Sequence, residues 1–247
     1  MADKFILITA THGDEKLGVD VMKELEKELS PNDFNFDWII GNPKAYRKGV
    51  RFIDTDLNRA APGNVASNLY EEVRAAELIK LSSKYEFVLD IHSTVSDSGI
   101  VTIIPYPTLE NIYLATALDI KRNVIWYSSI SLKKGPLVQF TNCPGIEIEC
   151  GPKNSQRLKT QLFKILKKFI KESRSVSTQD VINNIKNKEF YVVYGKEMGK
   201  NNPILKDFQL VGNGQEAYYP FLSNQYSGIV CYKTKRFDIK QHLLYNP

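Results

Sequence analysis

What most constrains this chain is an alternation that runs through its first two thirds. Short apolar, partly β-branched runs take turns with longer segments in which apolar residues recur at helical spacing. Phe5 to Ala10 reads as a strand ending in Thr11-His12-Gly13, and Glu15 to Leu29 follows as a helix with Val19, Met22, Leu25 and Leu29 on one side. Phe34 to Ile40 is a second strand closed by Gly41-Asn42-Pro43, and Leu69 to Ser82 a second helix with alternating charges on its exposed side. Glu86 to Ile91 is a third strand whose end delivers His92. Strands at Ile100 to Ile104, Asn123 to Trp126 and Ile146 to Cys150, with helices at Thr108 to Leu118 and Asn154 to Lys171, continue the pattern. Such alternation predicts a three-layer α/β domain around a largely parallel sheet.

After about Ser175 no helical period persists. Phe190 to Tyr194, Ile204 to Leu210, Tyr218 to Leu222 and Ile229 to Tyr232 read as strands between turn signals. The expected organisation is therefore a domain over residues 1–175 and a small β-rich domain over 176–247. The 247 residues, 43% of them hydrophobic, can supply a sizeable core. The opening Met1 to Thr11 lacks the long apolar stretch and cleavage site of a secretory leader, and no segment is long enough to span a bilayer. Three cysteines, Cys143, Cys150 and Cys231, are an odd number, which argues against a disulfide framework and for a cytoplasmic location. A net charge of +5 raises the question of a nucleic-acid partner. The densest basic stretch, Arg157 to Lys171, instead reads as an amphipathic helix with a solvated lysine face, so neither nucleic acid nor membrane is expected as a partner. The surplus charge suits a small acidic substrate, and a homo-oligomer is compatible with everything so far.

His12-Gly13-Asp14-Glu15 places an imidazole and a carboxylate three residues apart where the chain leaves its first strand. Alone, this is weak evidence for a metal, because either residue could cap the helix that follows. His92 changes the balance. It stands at the end of another strand, and in an open α/β sheet ligands bind beyond the carboxyl ends of strands. Two histidines and one carboxylate, with a fourth position free for water, form the ligand set of a catalytic zinc, one ion per chain. Asp90, two residues earlier on the same strand face, could orient His92 or serve as a buried hydrogen-bond acceptor. The third histidine, His242, lies in a polar tail.

Arg51 to Arg59 crowds two arginines, two aspartates and an asparagine into a stretch with no regular period. Its charges could simply pair with one another. Beside a zinc ion, an arginine could polarise a scissile carbonyl, and Asn58 with Arg59 could hold a substrate carboxylate. In Gly145 to Pro152, Glu147 and Glu149 are two residues apart on one strand and project to one face. Glu149, nearer the strand's end, is the candidate general base, and Glu147 a surface or hydrogen-bonded neighbour.

These segments together resemble the succinylglutamate desuccinylase and aspartoacylase family, relatives of the zinc carboxypeptidases. The likeness is carried by Thr11 to Glu15, Gly41 to Ala45, Arg51 to Arg59, Asp90 to Thr94 and Ile148 to Pro152, in the family's order. It implies a zinc-carboxypeptidase-like domain with a central mixed, largely parallel sheet and a small C-terminal β domain capping the substrate pocket. It further implies His12, Glu15 and His92 as zinc ligands, Glu149 as base and later proton donor, and Arg51 as the group that polarises the amide carbonyl. Asn58 and Arg59 would bind the carboxylate of an N-acyl amino acid, and Tyr226 is the nearest match to a pocket tyrosine of the C-terminal domain, with Tyr218, Tyr219 and Tyr232 as rivals. Two positions depart from the family. Asp14 stands where it commonly has asparagine, and Gln139 where aspartoacylases carry a substrate-binding arginine. The expected activity is zinc-dependent release of an acyl group from an N-acyl amino acid. The alternatives are a carboxypeptidase-like enzyme acting on a peptide or cell-wall fragment, and a metal-binding protein without turnover.

Overall fold

Strand β1 (Phe5–Thr9) is buried along its whole length. Its side chains alternate between two cores, Phe5 and Leu7 facing one and Ile6 and Ile8 the other. Burial on both faces explains why the strand reads as an unbroken apolar run instead of an alternating one. The molecule is seen here as a computed structural model that describes residues 4–30, 35–127, 134–172, 183–202 and 204–245.

Around β1 the chain builds a single nine-stranded mixed sheet, using β2 (Phe36–Ile40), β3 (Val88–Ser93), β4 (Gly99–Ile104), β5 (Arg122–Ile125), β6 (Gly145–Gly151), β7 (Glu189–Met198), β8 (Tyr219–Phe221) and β9 (Ile229–Arg236). Their spatial order is β2-β1-β3-β6-β4-β5-β7-β9-β8. The pairs β2/β1, β1/β3, β3/β6, β4/β5 and β5/β7 are parallel, whereas β6/β4, β7/β9 and β9/β8 are antiparallel. Helices α1 (Leu17–Glu28), α5 (Leu109–Ala117) and α6 (Gln156–Glu172) cover one face, over a core that includes Leu25, Leu89, Ile91, Ile148 and Leu166. On the opposite face α3 (Leu57–Ala60) and α4 (Tyr70–Ser82) cover a smaller core containing Ala75, Leu78 and Val88. The expected three-layer α/β architecture is thus present. The strands after residue 176 continue the main sheet through β5/β7 pairing, and an aromatic cluster of Tyr191, Phe208 and Phe221 packs with Val101, Ile103 and Val124.

Three local expectations differ from what is observed. Ile204 to Leu210 forms turns instead of a strand, because Phe208 adopts a left-handed backbone (φ 62°) that breaks a ladder. Pro43–Lys48 is a helix, α2, capped by Asn42 through its side chain to the Ala45 N–H (3.1 Å), with Pro43 at its first position and Gly49 ending it at φ 66°. The polar tail contains a last helix, α7 (Ile239–Tyr245), whose first N–H groups are capped by Asp238 (3.0 and 3.1 Å) and whose His242 reaches the Pro107 carbonyl.

The charges of α4 are not all on its wet side. Glu71 is fully buried, accepting from the backbone N–H groups of Ile53 (2.7 Å), Asp54 (3.0 Å) and Thr55 (3.1 Å) and from Asn42 Nδ2 (3.0 Å). One carboxylate therefore braces the arginine-rich loop against α2 and α4. Burial alone would raise its pKa, but these donors outweigh burial and hold it below the usual carboxylate range. Replacing Glu71 by Gln turns one acceptor oxygen into a donor facing two N–H groups, which is expected to cost about 2 kcal/mol and lower the melting midpoint by roughly 4–8 °C. The sign with pH follows from the depressed value. The stabilisation is present above the ordinary glutamate pKa and is lost as pH falls through the folded one, so acid melting curves of Glu71→Gln should be flatter than those of the parent.

Candidate metal centre

β1 ends in Ala10, a fully buried residue held at φ 50°, and this turn swings Thr11 and His12 out over the carboxyl edge of the sheet. Gly13 follows, with its N–H on the Arg51 carbonyl (3.0 Å) and its α-carbon so close to α2 that a Cβ would lie 2.2 Å from the Ala45 backbone. Only glycine passes there. The next turn brings Glu15 back beneath His12. From the neighbouring strand, the alternation of β3 sends Leu89 and Ile91 into the core under α1 and leaves Asp90 and His92 on the other face.

The result is a buried cluster. His12 Nδ1 lies 2.7 Å from Glu15 Oε1, and His92 Nδ1 lies 3.3 Å from Glu15 Oε2, which also accepts from the Ser93 N–H at 2.8 Å. His12, Glu15 and His92 each offer one ligand atom, all within 4.8 Å of one another, a set that could hold a metal ion. The outer nitrogens are held as well. His12 Nε2 meets Asp56 Oδ1 at 3.0 Å and His92 Nε2 meets Asp90 Oδ2 at 3.0 Å, while Asp90 Oδ1 accepts from Thr11 Oγ1 at 2.8 Å. Carboxylates on the outer nitrogens fix the rings with Nδ1 inward, as in metal sites whose histidines are oriented from behind. Of the two readings open for Asp90, the orienting contact is present.

The electrostatics favour a cation. Burial lowers the pKa of both imidazoles, but Glu15 and Asp56 outweigh it at His12, and Asp90 and Glu15 outweigh it at His92, so both stand raised. Glu15, which burial would raise, is held far below the carboxylate range by the two histidines. A group of carboxylates that draws protons onto both rings would equally stabilise a divalent ion between them.

Opposite this cluster, β6 is paired with β3 so that His92 lies beside Glu149 and Asp90 beside Glu147. Both glutamates face a cavity of about 390 Å³ that His12 and His92 also line. Glu147 is buried and accepts from Asn58 Nδ2 at 2.9 Å. Glu149 Oε1 is buried with no hydrogen-bond partner among the described residues, and its pKa is pushed up to about 8, first by burial and then by Glu15.

The other sequence candidates fall at different distances from this centre. Arg51 binds Asp56 (3.1 Å), approaches His12 Nε2 (2.8 Å) and Glu15 (3.5 Å), and stands beside the cluster without lining the cavity itself. Asn58 is buried with its amide engaged, since Oδ1 accepts from the Leu137 N–H (2.8 Å) and Nδ2 donates to Glu147. Arg59 is exposed, lines the cavity and donates to the Asn58 carbonyl (2.7 Å). Tyr226 and Tyr232 both line the cavity, whereas Tyr218 and Tyr219 do not. Burial and then Glu149 push the Tyr226 hydroxyl up to about 12. Asp14 turns away to Lys153 (2.9 Å), so its charge is met outside the cluster. Gln139 donates to the Tyr106 hydroxyl (3.0 Å) and is not part of the cavity wall. Lys133 lies outside the described residues.

Several residues that shape the site carry no sequence signal. Asp207 is buried and accepts from Ser96 Oγ (2.7 Å) and from the N–H groups of Leu222 (3.0 Å) and Ser223 (2.9 Å). Gln225 Oε1 accepts from Thr94 Oγ1 and from the Val95 N–H (2.8 Å). Together they tie the loop carrying Tyr226, strained at Leu222 (φ 50°) and Asn224 (φ 58°), to the segment just beyond His92.

A three-layer α/β sheet carrying a buried His-Glu-His cluster at its carboxyl edge defines the class. The chain belongs to the succinylglutamate desuccinylase/aspartoacylase family, whose catalytic-domain profile matches residues 2–176. Among curated relatives it is 32% identical over 202 residues to a probable aspartoacylase of Prochlorococcus marinus strain MIT 9515, covering 75% of this chain and 64% of the relative. It is 30% identical over 157 residues to one from strain CCMP1986 of that species, covering 60% and 53%. The chain thus spans less than two thirds of these relatives' lengths. The crystal structure of a succinylglutamate desuccinylase/aspartoacylase from Rhodobacter sphaeroides shares the fold with a TM-score of 0.72 at 15% identity, over 96% of this chain and 86% of that one.

Removing the Asp207 carboxylate leaves two backbone N–H groups and one hydroxyl unpaired. Asp207→Ala is therefore expected to destabilise by about 2–4 kcal/mol and to raise amide hydrogen exchange across residues 222–226 before the rest of the sheet opens. Unchanged exchange there would show that the loop is held by other means.

Proposed function

We propose that the chain is a zinc-dependent hydrolase that releases the acyl group from an N-acyl amino acid. The observation that carries this reading is the convergence of His12, Glu15 and His92 opposite Glu149, which lines the same cavity and whose buried Oε1 has no hydrogen-bond partner among the described residues. A cavity of about 390 Å³ suits a small molecule better than a long peptide, which favours this reading over a carboxypeptidase-like one.

His12, Glu15 and His92 would hold one zinc ion, which when bound lowers the pKa of a water molecule and polarises the scissile carbonyl. Glu149 does the proton work. Lining the cavity opposite the cluster, its carboxylate would take a proton from the attacking water and return it to the departing amine nitrogen. Arg51, fixed by Asp56 beside the cluster, supplies positive charge to the oxyanion. Arg59 holds the substrate carboxylate. Asn58 supports it from behind, because most of its amide is used to join Leu137 and Glu147. Tyr226, protonated at any physiological pH, donates a hydrogen bond across the cavity to the bound substrate.

Purified protein is expected to carry one zinc per chain by metal analysis and to lose amine release on treatment with a chelator, recovering when zinc is restored. His92→Ala should lose the zinc itself. Glu149→Gln should keep the zinc while the turnover rate falls by roughly 10²–10⁴. Full activity in Glu149→Gln would sink the base assignment, and stoichiometric zinc without amine release from any acylated amino acid would favour a metal-binding protein without turnover.

A further inference from the structure

The cavity wall restricts which amino acid can be released. Apart from the histidines of the metal cluster, its charged side chains among the described residues are Arg59 and Lys134, Glu147 and Glu149. Lys134 is already paired with Glu72. Arg59 remains, in the same cavity wall as Tyr226 and Tyr232 and with no carboxylate partner among the described residues. Gln139, where an arginine would supply a second cation, is bonded to Tyr106 and lies outside the wall.

Asn58 aside, the other side chains of that wall are apolar or aromatic. Trp126 and Tyr232 pack at 4.3 Å between ring centroids, Tyr226 stands edge-on to Tyr232 at 6.1 Å, and Ile103, Val138 and Leu222 lie in the same wall. Resting on the N-acyl amino acid reading above, we propose that the released amino acid has an aromatic or large aliphatic side chain, with its carboxylate on Arg59 and its side chain against Trp126 and Tyr232. A second carboxylate, as in aspartate or glutamate, would be stripped of water beside Glu147, and among the described residues of the wall no further unpaired cation receives it. An apolar side chain asks only for buried area, and the rings offer it in the edge-to-face geometry that aromatic groups prefer.

The test compares amine release by the zinc-loaded full chain from N-acetyl-L-phenylalanine, -leucine, -alanine, -aspartate and -glutamate, with calorimetric titration of the free L-amino acids alongside. The expected result is a kcat/KM for the phenylalanine or leucine derivative at least about tenfold above that for aspartate or glutamate, and tighter binding of L-phenylalanine than of L-aspartate. An aspartate or glutamate derivative turned over as well or better overturns the proposal and leaves the hydrolase reading intact. If no derivative is cleaved, the hydrolase reading is in question and the titration decides the side chain alone: L-phenylalanine binding no tighter than L-aspartate overturns the proposal. Trp126→Ala should lower the phenylalanine-to-alanine ratio of kcat/KM by about tenfold, and an unchanged ratio overturns the placement of the side chain on that wall.

Discussion

The parallel register of β3 and β6 sets Asp90 beside Glu147 and His92 beside Glu149, so that four polar side chains share one face of the sheet. The other face favours this register, because there Leu89, Ile91, Ile146, Ile148 and Cys150 enter the core beneath α1, α5 and α6. A slip of one residue would drive these polar groups into that core and turn isoleucines toward the cavity. The apolar half of each strand therefore positions the chemical half, and the site inherits its order from packing on a surface it never touches.

Given that order, the buried charges become mutually dependent. Glu15 lies between two imidazoles and takes a backbone N–H from Ser93, and each imidazole has an aspartate at its far side. Any one of these groups alone would be expensive to bury. As a set they form a preorganised field that favours positive charge at its centre. Burial first, and the anionic Glu15 after it, push the Glu149 pKa upward. A single buried carboxylate thus acts on both imidazoles and on the second carboxyl.

The strands and helices around this centre were legible because their apolar residues keep a period that packing then uses. The elements that escaped notice are short and are specified by caps, not by periodicity. Asn42, Pro43 and Gly49 spell a helix start and stop only six residues apart, and Asp238 marks the start of another in a stretch otherwise read as a polar tail. Within the site, His12, Glu15 and His92 could be found from spacing and strand ends. Asp56 gave only a hint through the density of charge around it. Glu71, Asp207 and Gln225 gave none, because a carboxylate that binds backbone N–H groups of a distant loop has the same local sequence as one in solvent. The expected strand from Ile204 to Leu210 fails for a related reason: the left-handed turn at Phe208 is set by partners elsewhere in the chain.

Charge shows the same dependence on placement. The surplus of +5 suggested a small acidic ligand, yet two of the six basic residues of α6 are met by α1, Lys159 on Glu24 (2.5 Å) and Lys167 on Glu28 (2.6 Å). The cavity wall, in contrast, sets two cations against two carboxylates, and one of the cations is already paired outside it. Exposed charges separated from the cavity by more than a Debye length, about 8 Å at physiological salt, contribute little to its potential. Within the cavity wall, Arg59 is the cation without a carboxylate partner among the described residues, and Trp126, Tyr226 and Tyr232 contribute aromatic surface. Net charge describes how the molecule meets solvent, and the cavity must be read from its own wall.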